Sequence, residues 1–156
     1  MTERVASNIG ALLAGFMAQV PEPARPRFLA LLERGAAERY RYWAEQLPAH
    51  AAGLRACADR EEEIADRVER VIALDEAVRE KLDAPLQGAR AAYFGVFEGL
   101  PLPEQLRIQA GAERLGAAAW RGFATAVPDQ RMREEFERCA RLEETSADHL
   151  DALVAG

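Results

Sequence analysis

The strongest constraint on the fold is a stretch of twelve residues that the chain contains twice. Residues 33–44 read ERGAAERYRYWA, and residues 113–124 read ERLGAAAWRGFA. Both copies begin with Glu-Arg and end with Ala, and each carries aromatic residues at the same two positions: Tyr40 and Trp43 in the first copy, Trp120 and Phe123 in the second. Ala, Leu, Glu and Arg dominate the chain, and these residues favour helices. Because no segment shows sustained alternation of apolar and polar residues, the sequence predicts an all-α protein.

The repeat continues beyond a proline. Pro48 and Pro128 each stand four residues after the closing Ala of a copy, and residues 57–68 (CADREEEIADRV) then match residues 139–150 (CARLEETSADHL). The offset is 80 residues before the prolines and 82 after them, so the second turn holds two extra residues. The repeated unit is therefore a helical hairpin, and agreement at aromatic, Cys and Pro positions argues against a chance similarity.

One hairpin cannot bury its own apolar face, whereas two packed antiparallel form a four-helix bundle. We expect one domain over residues 1–156, in which Pro85 splits the crossover into two short helices. Its N-terminal amphipathic helix carries Ile9, Leu12, Leu13, Phe16 and Val20 on one stripe and is expected to pack on the bundle, a dimer or partner contact being the alternative. The predicted segments are this helix (1–20), the first hairpin (27–73), the crossover (74–102) and the second hairpin (103–154).

The charge and composition exclude several classes of function. The net charge of −6 disfavours binding to nucleic-acid phosphates or to anionic lipid. Two cysteines make no disulfide framework, and no apolar run reaches the roughly 20 residues that span a bilayer. We therefore expect a cytoplasmic protein that has reduced thiols and binds neither nucleic acid nor membrane.

Two glutamates fall on the inward faces of the repeated helices. Tyr40 follows Glu33 by seven residues, about two helical turns, so both side chains face the same side, and Trp120 stands likewise to Glu113. A buried carboxylate must be paired with a positive group or bind metal. Glu33 and Glu113 are therefore candidate site residues.

This arrangement resembles the ferritin-like superfamily, and its rubrerythrin-type members in particular, over about residues 27–153. In that family the first bundle helix carries Glu, then Ala, then an Arg-Tyr-aromatic run, here around Glu33, Ala36, Arg39, Tyr40 and Trp43. The resemblance implies a dinuclear iron site with one Glu from each of two helices and a Glu-x-x-His from each of the other two. Carried onto this chain, the candidate metal ligands are Glu33, Glu61, Glu113 and Glu143.

Both family histidines are absent. The position three after Glu61 is Ile64, and the position three after Glu143 is Ser146. The chain's own histidines are expected elsewhere, His149 on the surface and His50 in a loop. Cys57 and Cys139 lie on the same faces as the glutamates and are expected to be small buried core residues.

The missing imidazoles favour a non-catalytic binding or interaction protein with a degenerate di-metal site. In this interpretation no cofactor is expected, and protons together with Arg41 and Arg121, which lean towards the four carboxylates, supply the compensating positive charge. The alternative is a carboxylate-only site holding iron or manganese, as a metal binder or as an oxidase or peroxidase. The resemblance implies a homodimer, whereas the sequence identifies no other protein partner, substrate or electron donor.

Overall fold

A computed structural model describes the backbone of residues 2–156 and the side chains of residues 8–156. Met1, part of the predicted segment 1–20, lies outside the described residues. Residues 2–156 contain no strand, which confirms the all-α class. The six helices are α1 (Thr2–Met17), α2 (Arg25–Gln46), α3 (Ala51–Val71), α4 (Glu76–Gly95), α5 (Leu102–Ala126) and α6 (Gln130–Ala155). Among them, none combines the length and the apolar composition that a bilayer crossing requires.

Local chemistry explains where the helices begin and end. The side chains of Asp75 and Asp129 cap α4 and α6, each accepting a 2.8 Å hydrogen bond from a backbone N–H three residues on. Proline lies in the first turn of α2 and of α5, where its missing N–H costs nothing. Pro48 begins a short 3-10 turn, Pro48–His50, that joins α2 to α3. The predicted boundaries of both hairpins therefore hold to within two residues.

The helices pair as two hairpins, α2 with α3 and α5 with α6, and α3 packs against α6. Two surface ion pairs occupy equivalent places in the hairpins. Arg41 bonds Glu62 at 3.0 Å, and Arg121, 80 residues later, bonds Glu144, 82 residues after Glu62. The sequence repeat is thus also a structural repeat.

The crossover differs from the prediction, because Pro85 lies inside α4 and does not split it. A proline within a helix removes one backbone hydrogen bond and crowds the preceding turn. Here Leu82, Pro85, Ala89 and Tyr93 are buried along one face of α4. Burial of that apolar stripe offsets the local cost, so a single helix continues through the proline.

Helix α1 packs on its own bundle, against α4 and α5, as expected. It approaches α4 closely where Phe16 lies over Gly88; a Cβ at Gly88 would be 2.5 Å from the Phe16 ring. It also approaches α5 where Gly10 faces Leu115; a Cβ at Gly10 would be 3.0 Å from Leu115 Cδ1. The helix ends at Met17, before Val20, and Leu12 is 43% exposed, so Leu12 does not belong to the buried stripe.

Candidate metal centre

Four glutamate side chains meet in the interior of the bundle, one from each helix of the two hairpins. They are among the few buried polar side chains of the described residues, with exposed fractions of 7%, 0%, 2% and 2% for Glu33, Glu61, Glu113 and Glu143. These are the four residues that the repeat and the family resemblance single out. Large aromatic side chains with no exposed surface, among them Tyr40 and Trp120, lie on the same helices.

Three of the carboxylates converge tightly. One oxygen each of Glu33, Glu61 and Glu143 lies within 4.8 Å of the others. The fourth, Glu113, is close enough that its charge raises the pKa of each of the other three. The centre is therefore a group of four interacting carboxylates, with no histidine or cysteine in the converging set.

Hydrogen-bond donors hold Glu113 by one of its two oxygens. The Tyr40 hydroxyl donates to Glu113 Oε1 at 2.6 Å, and Gln109 Nε2 donates to the same oxygen at 2.7 Å. The Tyr93 hydroxyl donates to Gln109 Oε1 at 2.7 Å, and this bond turns the amide so that its NH₂ group faces Glu113. Glu113 Oε2 is buried without a hydrogen-bond partner among the described residues.

The surroundings of Glu143 and Glu61 differ. Trp120 Nε1 donates to Glu143 Oε1 at 3.0 Å. Glu61 has both oxygens buried and, within residues 8–156, neither has a hydrogen-bond donor. Buried polar atoms in proteins are nearly always satisfied. The unpartnered oxygens of Glu61 and Glu113 can therefore take a proton shared between neighbouring carboxyl groups or a cation.

Burial is the main cause of the raised pKa values of Glu33, Glu61 and Glu143. It raises the pKa of Glu33 to about 7, with the charge of Glu113 adding to the shift. Burial also raises the pKa values of Glu61 and Glu143 well above their usual range, and the neighbouring carboxylates push in the same direction. Without a cation, the group retains protons at a pH where isolated glutamates have lost them.

Arginines do not provide the compensating charge, contrary to the expectation for Arg41 and Arg121. Each lies one position, about 100°, beyond an inward aromatic residue and points outwards, where it pairs with Glu62 or Glu144. Within residues 8–156, no Lys, Arg or His nitrogen lies within 4.0 Å of a carboxylate oxygen of the four buried glutamates.

The two positions where the family has histidine are completely buried. Ile64 belongs to the apolar core. Ser146 accepts a 2.9 Å hydrogen bond from Arg60 Nε, and Arg60 Nη2 lies 3.1 Å from Cys57 Sγ. Cys57 and Cys139 are free and buried, as expected, and burial raises the pKa of both thiols.

The histidines of the chain lie away from the centre. His50 is exposed in the turn before α3, as expected. His149 was expected on the surface, but it is half-buried where α6 packs on α3, against the bare backbone of Gly53. Burial, followed by the charges of Arg60 and His50, lowers the pKa of His149.

The sequence interpretation missed two residues of the centre, Gln109 and Tyr93. Gln109 precedes Glu113 by four residues, so the i, i+4 spacing on α5 was an available signal for it. Tyr93 lies on the crossover helix α4, and no local pattern relates it to the repeat.

No family model, curated protein or solved structure matches this chain. Its function must therefore be inferred from the chemistry of the four carboxylates and their surroundings.

Proposed function

We propose that this protein binds divalent metal through Glu33, Glu61, Glu113 and Glu143, as the carboxylate-only centre of a ferritin-like four-helix bundle. The observation that supports the proposal is the set of buried oxygens on Glu61 and Glu113 that no hydrogen-bond donor satisfies. An uncompensated buried charge is among the most costly features that a fold can contain. A cation held among these oxygens would remove that cost.

The hydrogen bonds around the centre are compatible with a metal site. Tyr40, Gln109 and Trp120 all donate to carboxylate oxygens, and in both Glu113 and Glu143 the donors bind Oε1 alone. They also fix the orientation of both side chains, as the outer partners of metal ligands do.

The donor set favours hard cations. Carboxylate oxygens suit Mn²⁺, Mg²⁺ and Ca²⁺, whereas imidazole normally helps to hold iron. We therefore expect Mn²⁺ to bind, and Fe²⁺ to bind more weakly than it would with the two histidines. A bound redox metal would supply one-electron chemistry; Tyr40, Gln109 and Trp120 would keep its carboxylate ligands in place.

Manganese titration tests this proposal. We expect calorimetry and the loss of free Mn²⁺ electron paramagnetic resonance signal to show saturable binding at pH 7.5 to protein stripped with EDTA. Glu61→Gln keeps the shape of the side chain, removes a charge from the centre and should weaken binding at least tenfold.

Glu62→Gln is the matched control, because Glu62 neighbours Glu61 on α3 but faces Arg34 and Arg41. It should bind Mn²⁺ as the wild type does. A wild-type protein that binds neither Mn²⁺ nor Fe²⁺ would favour the competing interpretation, a non-catalytic bundle whose glutamates are neutralised by protons.

A further inference from the structure

A cavity of about 450 Å³ lies beneath α1 and reaches the carboxylate centre. Its size falls within the range of small-molecule binding sites. Helices α1, α2 and α5 supply most of its walls, and Glu33, Glu113 and Glu143 line it. Ala14 and Ala18 also line it and are exposed to solvent, so it opens beside α1.

The walls away from the glutamates are largely apolar. Leu13 and Met17 contribute from α1, Leu29 and Leu32 from α2, and Phe123 from α5. Two arginines also line the cavity, but both are engaged elsewhere. Arg90 pairs with Glu38 at 2.8 Å, and Arg25 donates to the backbone oxygen of Val20 at 3.2 Å.

The seating of α1 over this space depends on specific small residues. Gly88 leaves room for the Phe16 ring, and Gly10 leaves room for Leu115, so the helix is held at α4 and at α5. Between α1 and α2 the side chains do not close the gap, and the cavity remains. A large, mostly apolar cavity is a poor site for ordered water, because water needs several polar partners.

We propose that this cavity binds an uncharged, elongated apolar small molecule, which lies along α1 with one end beside the carboxylate centre. The lining residues of α1 extend from Ile9 to Met17, about 12 Å along the helix. The remaining walls offer apolar contacts, and both arginines of the lining are engaged elsewhere, so an anionic head group would find no free cation among the lining residues. The proposal depends on the proposed metal centre only for the role of the bound molecule, since binding itself is measurable without metal.

The test uses N-phenyl-1-naphthylamine, an uncharged aromatic probe whose fluorescence increases in apolar surroundings. We expect saturable, roughly stoichiometric binding to the full-length protein, displaced by 1-decanol more effectively than by decanoate. Ala112→Phe and Ala119→Phe, seven residues apart on α5, each place a ring in the cavity and should weaken probe binding at least tenfold.

Ala118→Phe is the matched control, because Ala118 is an exposed residue of α5 outside the cavity lining; it should bind the probe as the wild type does. Circular dichroism checks that each variant folds. If Ala112→Phe and Ala119→Phe do not fold, the wild-type titration still tests the proposal. Absence of saturable binding to the wild type, a preference for decanoate, or equal loss of binding in Ala118→Phe would overturn the proposal.

Titration of the probe with EDTA and with Mn²⁺ separates this inference from the metal proposal. Probe binding without Mn²⁺ binding would support the small-molecule site and contradict the metal centre. Mn²⁺ binding without probe binding would support the metal centre and contradict the small-molecule site.

Discussion

Two single residues, Ile64 and Ser146, set the chemistry of this centre apart from that of the family it resembles. Each stands three residues after a buried glutamate, on the same helical face, where the family has a histidine. Both are fully buried, and Ser146 is hydrogen-bonded to Arg60. Neither side chain offers a nitrogen, so the four buried carboxylates form an all-oxygen group.

Restoring the histidines should increase the affinity for transition metals. In the double variant Ile64→His with Ser146→His, each imidazole stands one turn after its glutamate, a spacing that suits two ligands of one metal. We expect at least a tenfold increase in Co²⁺ affinity by calorimetry, with a change in the visible Co²⁺ spectrum. Thr145→His, an exposed neighbouring position on α6, should leave both unchanged. A folded double variant with wild-type Co²⁺ affinity would show that these positions do not face the bound metal.

The sequence predicted the helices better than it predicted the contacts between them. The repeat and its prolines predicted both hairpins, because proline position and apolar spacing act locally. Pro85 shows where local rules fail. Its lost hydrogen bond does destabilise α4 locally, but burial of the stripe from Leu82 to Tyr93 offsets this, and that burial depends on contacts with other helices. Glu33 and Glu113 could be predicted from helical spacing, and Glu61 and Glu143 from the family resemblance. The outward direction of Arg41 was missed, because one residue step turns a side chain by about 100° around the helix. The bond from Tyr93 to Gln109 joins two helices that no sequence pattern relates.

The approach of α5 to α6 gives a prediction at this scale. A Cβ at Gly116 would lie 2.6 Å from Glu143 Oε1 and 2.8 Å from its carboxyl carbon. Gly116→Ala should therefore displace the carboxylate, break its bond with Trp120 and weaken Mn²⁺ binding at least tenfold. Gly122→Ala is the control on the same helix, because a Cβ there meets no atom within 4 Å; it should bind Mn²⁺ normally and gain up to about 1 kcal/mol of stability from helix propensity. Equal Mn²⁺ affinity in the two variants would contradict the role of Glu143 as a ligand.

Across the whole molecule, the two hairpins make equivalent contacts on the surface but different ones at the centre. The ion pair of Arg34 with Asp66 has its equivalent in Arg114 with Asp148, at offsets of 80 and 82 residues. At the centre, the equivalent aromatic residues act differently: Tyr40 donates to Glu113 of the other hairpin, whereas Trp120 donates to Glu143 of its own. The duplicated sequence sets the bundle, and its later differences give the four carboxylates unequal surroundings.

Those carboxylates make the stability of the whole protein depend on pH in a way that metal should reverse. Burial raises the pKa of Glu33 to about 7, above its value of 4.5 in the unfolded chain. The folded state therefore binds the extra proton, and the stability that this proton contributes is present below pH 4.5 and lost as the pH rises to about 7. For Glu33 alone the loss at pH 8 is on the order of 3 kcal/mol, and the raised pKa values of Glu61 and Glu143 act in the same direction.

The corresponding measurement is chemical unfolding at pH 5, 6, 7 and 8, with EDTA and with Mn²⁺. We expect the free energy of unfolding to be nearly equal in the two series at pH 5, where protons neutralise the centre. At pH 8 the Mn²⁺ series should be more stable by several kcal/mol, because the metal replaces the protons and binds only the folded state. Titratable groups elsewhere contribute to both series, so the difference between the two curves isolates the centre. Curves that coincide at every pH would contradict the metal centre, and a difference that is largest at pH 5 would contradict its four buried carboxylates as the metal ligands.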